Sequence, residues 1–221
     1  PLHGLLPFKH IDHLHPDSLI AIAAAEESKK ITKEIWGDTM GWLPWKRPGF
    51  DLALQMEACL NENPKIRGIV LGNHGVFTWG ETSYESYVNS LEVIETASQY
   101  IEDKINKKGS VFGGQKIKSL SSIKRKGKAE QIAPILRGLC SSEISMIGHF
   151  NDDKKVLEFI NSNDFERLAP MGTSCPDHFL RTKIKPLKLS LKPDENLSDS
   201  QKILDKISNS FEKYRKEYQD Y

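Results

Sequence analysis

Ile66-Arg67-Gly68-Ile69-Val70-Leu71-Gly72-Asn73-His74-Gly75-Val76-Phe77-Thr78-Trp79 reads as two apolar strands separated by a tight turn. Ile66 to Leu71 is a short run rich in β-branched residues, Val76 to Trp79 is a second, and Gly72-Asn73-His74-Gly75 breaks the run between them. A histidine is an unusual occupant of such a turn. The flanking glycines remove side chains from around it, so an ion or a substrate can approach the backbone closely.

Working upstream, Phe50 to Asn61 carries Leu52, Met56, Cys59 and Leu60 on one helical face. Trp36 to Gly49, with three Trp, two Pro and three Gly, has the chemistry of a loop. Lys9 to His15 reads as a short strand, and Asp17 to Ile35 as one helix with Pro16 suited to its start. Downstream, Thr82-Ser83-Tyr84-Glu85 is a capping box. The long helix it opens carries Tyr84, Tyr87, Val88, Leu91, Ile94, Ser98, Ile101 and Ile105 as a stripe expected to pack.

From Lys107 to Lys128 the composition turns to Lys, Gly and Ser, which marks a flexible loop or insertion. Its lysines read as a solvated face, with a phosphate site as the alternative. A helix (129–139), a strand (144–150), a helix (152–160) and a polar irregular stretch through Pro186 are expected next. Ser198-Asp199-Ser200-Gln201 is a second capping box, ahead of a helix with Ile203, Ile207, Phe211, Tyr214 and Tyr218 along one side. The expected organisation is one domain over 1–187, followed by a linker and C-terminal helix over 188–221.

The 221 residues suit one domain with a short appendage. Lys plus Arg is 31 and Asp plus Glu is 30, a net charge of +1, so no chain-wide positive field exists to hold nucleic acid or anionic lipid. The longest apolar run, Leu19 to Ala25, has seven residues against the ~20 needed to span a bilayer. Three widely spaced cysteines, Cys59, Cys140 and Cys175, suggest neither a disulfide framework nor a thiolate zinc site, and a cytoplasmic setting is expected. The sequence opens at Pro1 without an initiator Met, as a fragment would. No Gly-rich nucleotide-binding pattern follows a strand.

Two constellations carry candidate chemistry. In His13-Leu14-His15 the imidazoles at i and i+2 of a strand share a face, and His74 offers the third donor that a catalytic zinc with one open position requires. Ordinary surface or core histidines are the alternative. Asp12 points to the opposite face and is limited to orienting a ligand from behind. His3 and His10 read as structural. The second constellation is Gly172 to Lys183, where Asp177 and His178 form an acid/base pair and Arg181 and Lys183 supply cations for a phosphate. The alternative there is a polar surface connector. Cys175, next to Pro176, reads as an inert thiol rather than a nucleophile.

These strings resemble the class II aldolase/adducin family. The resemblance rests on Leu2 to Pro7, Ile11-Asp12-His13-Leu14-His15-Pro16, Pro44 to Gly49, Ile69 to Val76, Trp79-Gly80 and the helix to about Glu102. Leu136-Arg137-Gly138 and Gly172 to Leu187 resemble a narrower subgroup, the aldolase half of rhamnulose-1-phosphate aldolase/short-chain dehydrogenase fusions. The resemblance implies an α/β domain built as a three-layer α/β/α sandwich around a largely antiparallel sheet, with its N-terminal part outside this sequence. It implies Zn2+ held by His13, His15 and His74, and a lyase of carbohydrate metabolism that cleaves a ketose 1-phosphate to dihydroxyacetone phosphate and an aldehyde. Zinc chelated by the substrate's oxygens would stabilise the enediolate formed on cleavage. A homo-oligomer, as a four-fold ring, is implied too, and apolar residues in the last helix and in Trp36 to Trp45 point the same way.

The resemblance leaves gaps. The family's phosphate loop and acidic proton carrier lie upstream of the matched residues, and residues 16 to 73 contain no Tyr where some family aldolases use one. A sugar-phosphate epimerase or dehydratase on the same metal platform, and a non-catalytic adducin-like module, remain the competing functions.

Overall fold

In the computed structural model, residues 2–189 and 200–221 are described. The chain divides into two compact units, Pro1–Gly109 with Thr173–Ile184, and Ser110–Gly172 with Lys185–Tyr221. Residues 173–184 join the first unit, and the C-terminal helix belongs with 110–172.

The first unit is built on a four-stranded sheet in the order β1-β4-β3-β2, with β1 at His10–Leu14, β2 at Gly41–Leu43, β3 at Gly68–Leu71 and β4 at Gly75–Gly80. The β1/β4 and β3/β4 pairs are antiparallel and β2/β3 is parallel, so the sheet is mostly antiparallel. Its side chains alternate with period two. Ile69, Leu71, Phe77 and Trp79 face helix α3 (Phe50–Glu62), where they meet Leu52, Met56 and Leu60. Val70 and Val76 face the other way, onto Leu19, Ile22, Trp36, Val93 and Ala97 of α1 (Asp17–Ala23), α2 (Ser28–Trp36) and α4 (Ser83–Lys108). Helices therefore cover both faces. The result is the expected three-layer α/β/α arrangement, with β3 buried throughout.

Three local expectations are corrected. The single helix expected over 17–35 is two, because the Ala23 carbonyl, which a continuing helix would bond to Glu27, accepts the Asn73 N–H at 2.9 Å. The Trp-rich loop contains β2, where Gly41 is needed because a Cβ there would lie 2.8 Å from Cys59 Sγ. The third concerns α4, whose capping box forms as expected: Glu85 N–H bonds Thr82 Oγ1 at 3.1 Å and Thr82 N–H bonds Glu85 Oε2 at 3.1 Å. Its fully buried face, however, is the row of Ser86, Ser90, Val93 and Ala97; of the expected stripe Ile94 and Ile101 pack partly buried against the same cluster, while Tyr84, Tyr87, Leu91 and Ile105 are exposed. Small side chains let the helix lie close to the sheet: a Cβ on Gly80 would stand 2.5 Å from Ser86 N.

The second unit is helical: α5 (Ser122–Cys140), α6 (Lys154–Ile160), α7 (Phe165–Leu168) and α9 (Ser200–Gln219). Gly109, left-handed at φ 72°, caps the end of α4, and α5 starts at Ser122, so the connection expected over 107–128 narrows to 109–121. The strand expected over 144–150 does not form. Ile144 and Ile147 are 74% and 94% exposed, and this unit has no strand among its described residues against which the segment could pair. Of the C-terminal stripe, Ile207 is 1% exposed, whereas Tyr218 is 38% exposed. Trp36 is buried, and of the three tryptophans in the Trp-rich segment only Trp45 is largely exposed. Ser198 and Asp199 of the second capping box lie outside the described residues. No helix among the described residues is long and apolar enough to cross a membrane.

Candidate metal centre

The antiparallel register sets His13 of β1 opposite Phe77 of β4, and the two rings stack with centroids 4.1 Å apart and planes 12° from parallel. His15 follows the strand's last residue. His74 stands in the turn between β3 and β4, 4% exposed, held by its N–H to Leu71 O at 3.1 Å. Asn73 beside it takes a left-handed φ of 54°, a conformation that asparagine tolerates, and its N–H ties the turn to the end of α1. The sequence thus folds locally so that a strand end and a turn on the neighbouring strand present their imidazoles to one point.

His13 Nε2 lies 3.0 Å from His15 Nε2 and 3.3 Å from His74 Nε2. The candidate ligand atoms of all three residues lie within 4.8 Å of one another. Nitrogens bound tetrahedrally to zinc at about 2.0–2.1 Å are separated by roughly 3.3–3.4 Å, so little movement would bring these rings onto one ion. His13 Nδ1 donates to Val76 O at 3.0 Å, which in the neutral ring leaves Nε2 as a bare lone pair facing the other two. Burial, with His15, His74 and His3 adding like-charge repulsion, pushes the His13 pKa down to about 4 against the opposing pull of the Val76 bond. The imidazole is therefore neutral at physiological pH, the form that binds metal. Three imidazoles without a thiolate form a donor set that could hold a metal ion, and three protein donors leave a position for substrate.

The close approach depends on Gly75. A Cβ there would lie 2.3 Å from His15 Cδ2 and 2.5 Å from Leu14 O. Phe77 and the Val76 carbonyl are the supporting groups that sequence reading did not assign, since only the register of β1 against β4 puts them behind the imidazoles. Asp12 does face away from His13, as expected. Its Oδ2 accepts Ser86 Oγ at 2.7 Å and Ser90 Oγ at 3.2 Å, so it fastens β1 to α4 rather than orienting an imidazole.

The depressed His13 pKa has a consequence for stability. An unfolded histidine protonates near pH 6.5 and the folded one only near 4, so the unfolded state takes up the proton first. Stability that is full above pH 6.5 should decline as pH falls towards 4 in the metal-free protein. Melting temperature measured across that window should show this decline, and His13→Gln should flatten it.

The second constellation lies in the same unit as the histidines. Asp177 and His178 fall within α8 (Pro176–Arg181), Arg181 ends it, and Lys183 follows. Thr173 N–H bonds Ile184 O at 3.1 Å and closes the excursion at its base. His178, Arg181 and Lys183 are exposed, and Cys175 is buried at the N-cap of α8. A short helix thus replaces the irregular chain expected there.

Two family models match the sequence: the class II aldolase and adducin N-terminal domain over residues 2–101, and the second domain of class II aldolase over 127–221. The uncharacterized oxidoreductase YuxG of Bacillus subtilis is 40% identical over 220 residues, which take in 100% of this chain and 32% of that protein. The chain spans about a third of the length of that curated relative. Among solved structures, the N-terminal class II aldolase domain of a conserved protein from Thermoplasma acidophilum is 33% identical, with 45% of this chain and 46% of that one covered and a TM-score of 0.41. YgbL from Klebsiella pneumoniae, a putative aldolase/epimerase/decarboxylase, is 27% identical over 42% of this chain and 47% of its own, with a TM-score of 0.34. With the two models following one another along nearly the whole sequence, N-terminal domain first and second domain after it, the chain belongs to the class II aldolase/adducin family.

Proposed function

We propose that the chain is a zinc-dependent aldolase that cleaves a ketose 1-phosphate of the rhamnulose 1-phosphate type to dihydroxyacetone phosphate and an aldehyde. The observation that carries the reading is the convergence of the His13, His15 and His74 Nε2 atoms, 3.0 and 3.3 Å apart about His13. A divalent cation held there supplies Lewis-acid stabilisation of the negative charge that develops on substrate oxygens as the carbon–carbon bond breaks. The Val76 carbonyl keeps the His13 tautomer, and Phe77 fixes the plane of its ring. Arg181 and Lys183 hold the phosphate in this reading, and the Asp177–His178 pair moves the proton. An adducin-like binding module has no need of three imidazoles at one point.

The narrower resemblance of Gly172 to Leu187 favours the aldolase over an epimerase or dehydratase on the same platform. We also read the chain as the aldolase part of a longer, oligomeric protein that carries a dehydrogenase, as the oxidoreductase name and greater length of the Bacillus relative suggest.

Zinc analysis together with an assay for dihydroxyacetone phosphate release from several ketose 1-phosphates tests the proposal. Bound zinc with no release from any of them, alongside turnover of an epimerase substrate, would replace it. In an active protein, Arg181→Ala should raise KM for a phosphorylated ketose by roughly 10-fold or more, the worth of a charged hydrogen bond, and leave the unphosphorylated analogue nearly unchanged. His178→Ala should instead lower kcat by about 10²-fold or more. Equal effects on both substrates would return the segment to scaffolding.

A further inference from the structure

The chain ahead of β1 lays two rings on β4. Phe77 and Trp79 are two positions apart on that strand, so they share the face that meets α3. His3, in a 3-10 turn at Leu2–Gly4, meets Phe77 edge-on, with ring centroids 5.7 Å apart and planes at 73°. Phe8 lies flat on Trp79, with centroids 4.7 Å apart and planes at 9°. Between the two contacts Leu6, 5% exposed, is anchored in the same apolar cluster as Phe77 and Trp79.

The two contacts differ in what stands beyond them. Trp79 is opposite Ile11 in the β1/β4 register, whereas Phe77 is opposite His13 and carries its imidazole stacked at 4.1 Å and 12°. Three rings therefore follow one another, His3 to Phe77 to His13. The bond from His13 Nδ1 to Val76 O fixes one atom of the imidazole and leaves its plane to be set by the stack. That stack holds a plane only as firmly as the Phe77 ring keeps its own, and the terminal torsion of a phenylalanine is intrinsically broad. A ring set edge-on against an aromatic is favoured by the quadrupole of its partner, so turning the Phe77 ring would sacrifice the His3 contact.

We infer that His3 is a positioning residue of the metal centre: it holds the plane of Phe77, and through Phe77 the plane in which the His13 imidazole faces His15 and His74. The role rests on the reading of the three histidines as a metal site, but the ring order itself belongs to the metal-free protein and can be tested there. His3 is exposed, so truncating it opens no buried space that would disturb the fold by another route.

Two measurements test it. In protein dialysed against a chelator, proton NMR should find the His13 ring protons shifted upfield by the Phe77 ring current, since the two rings are stacked. His3→Ala should move them back towards ordinary histidine positions, and His3→Phe, which restores a ring against Phe77, should keep them where they are. Zinc titration of the same proteins against a competing chelator should show binding weakened by roughly threefold to tenfold in His3→Ala and close to wild type in His3→Phe. Phe8→Ala is the control for a general loosening of residues 2–8, because it removes the neighbouring ring contact on the same face of β4. It should lower the denaturant midpoint and leave the His13 protons and the zinc affinity unchanged. Unmoved His13 protons or unchanged zinc affinity in His3→Ala, equal effects in Phe8→Ala, or failure of His3→Phe to restore both readouts would overturn the role. Wild-type protein that takes up no zinc, with His13 protons that still respond to His3→Ala, would instead remove the metal reading and leave the ring order standing.

Discussion

Replacing His15 by alanine is expected to leave the protein folded and unable to retain zinc through dialysis, with aldol cleavage falling below detection. The change removes one of three donors that the proposed site supplies, and two imidazoles leave the ion largely to solvent. The affinity loss should exceed the roughly 10–100-fold seen when only an outer partner of a ligand is removed. The fold should survive because His15 lies beyond the end of β1 and belongs to neither apolar cluster. His74 is a poorer choice, since at 4% exposure its truncation also opens a buried space. Zinc content by mass spectrometry and the far-ultraviolet circular dichroism spectrum check the two halves of the expectation separately. Full retention of zinc would mean that the ion sits elsewhere, and the proposed reaction would lose its centre.

How far the sequence led depends on whether a feature is local. The His13/His15 pair on one face, the glycine-flanked His74 and the Thr82 capping box each follow from spacing within a few residues, and each stands in the structure where the spacing puts it. The α/β layering follows too, because the alternation in Ile69 to Trp79 supplies both apolar faces of the sheet. What was hidden is set by contacts distant in sequence. The break after Ala23 exists because Asn73, fifty positions on, takes its carbonyl. β2 is three residues of Gly, Trp and Leu that become a strand only by pairing with β3. On α4 the large residues drew attention, yet the fully buried face is that of Ser86, Ser90, Val93 and Ala97, where Ser90 meets Thr78 at 2.7 Å. Residues 144–150 have strand composition and no partner strand among the described residues of their unit, and composition alone does not make a ladder. The candidate metal site was legible as three residues and illegible as a built object, because the stack on Phe77, the bond to Val76 and the close contact at Gly75 all depend on register.

That contact gives the most discriminating test, since Gly75→Ala leaves every proposed ligand in place. The new Cβ would fall 2.3 Å from His15 Cδ2 and 2.5 Å from Leu14 O, well inside van der Waals contact. The imidazole can rotate away, but the carbonyl belongs to the end of β1, where Leu14 pairs with Val76, so relief on that side requires the strands to part. Overpacking of this kind costs about 1–3 kcal/mol. Either form of relief moves His15 away from His13 and His74, so zinc affinity should fall by more than stability does. Gly127→Ala is the matched control. It lies inside α5 with nothing within 4 Å of the added carbon, and should stabilise the protein by roughly 0.5–1 kcal/mol through helix propensity. Denaturant midpoints and zinc titrations on both variants separate the outcomes: a Gly75→Ala protein with wild-type stability and wild-type zinc affinity would show that the imidazoles are not held by this contact, and the geometric argument for a prearranged site would fall with it.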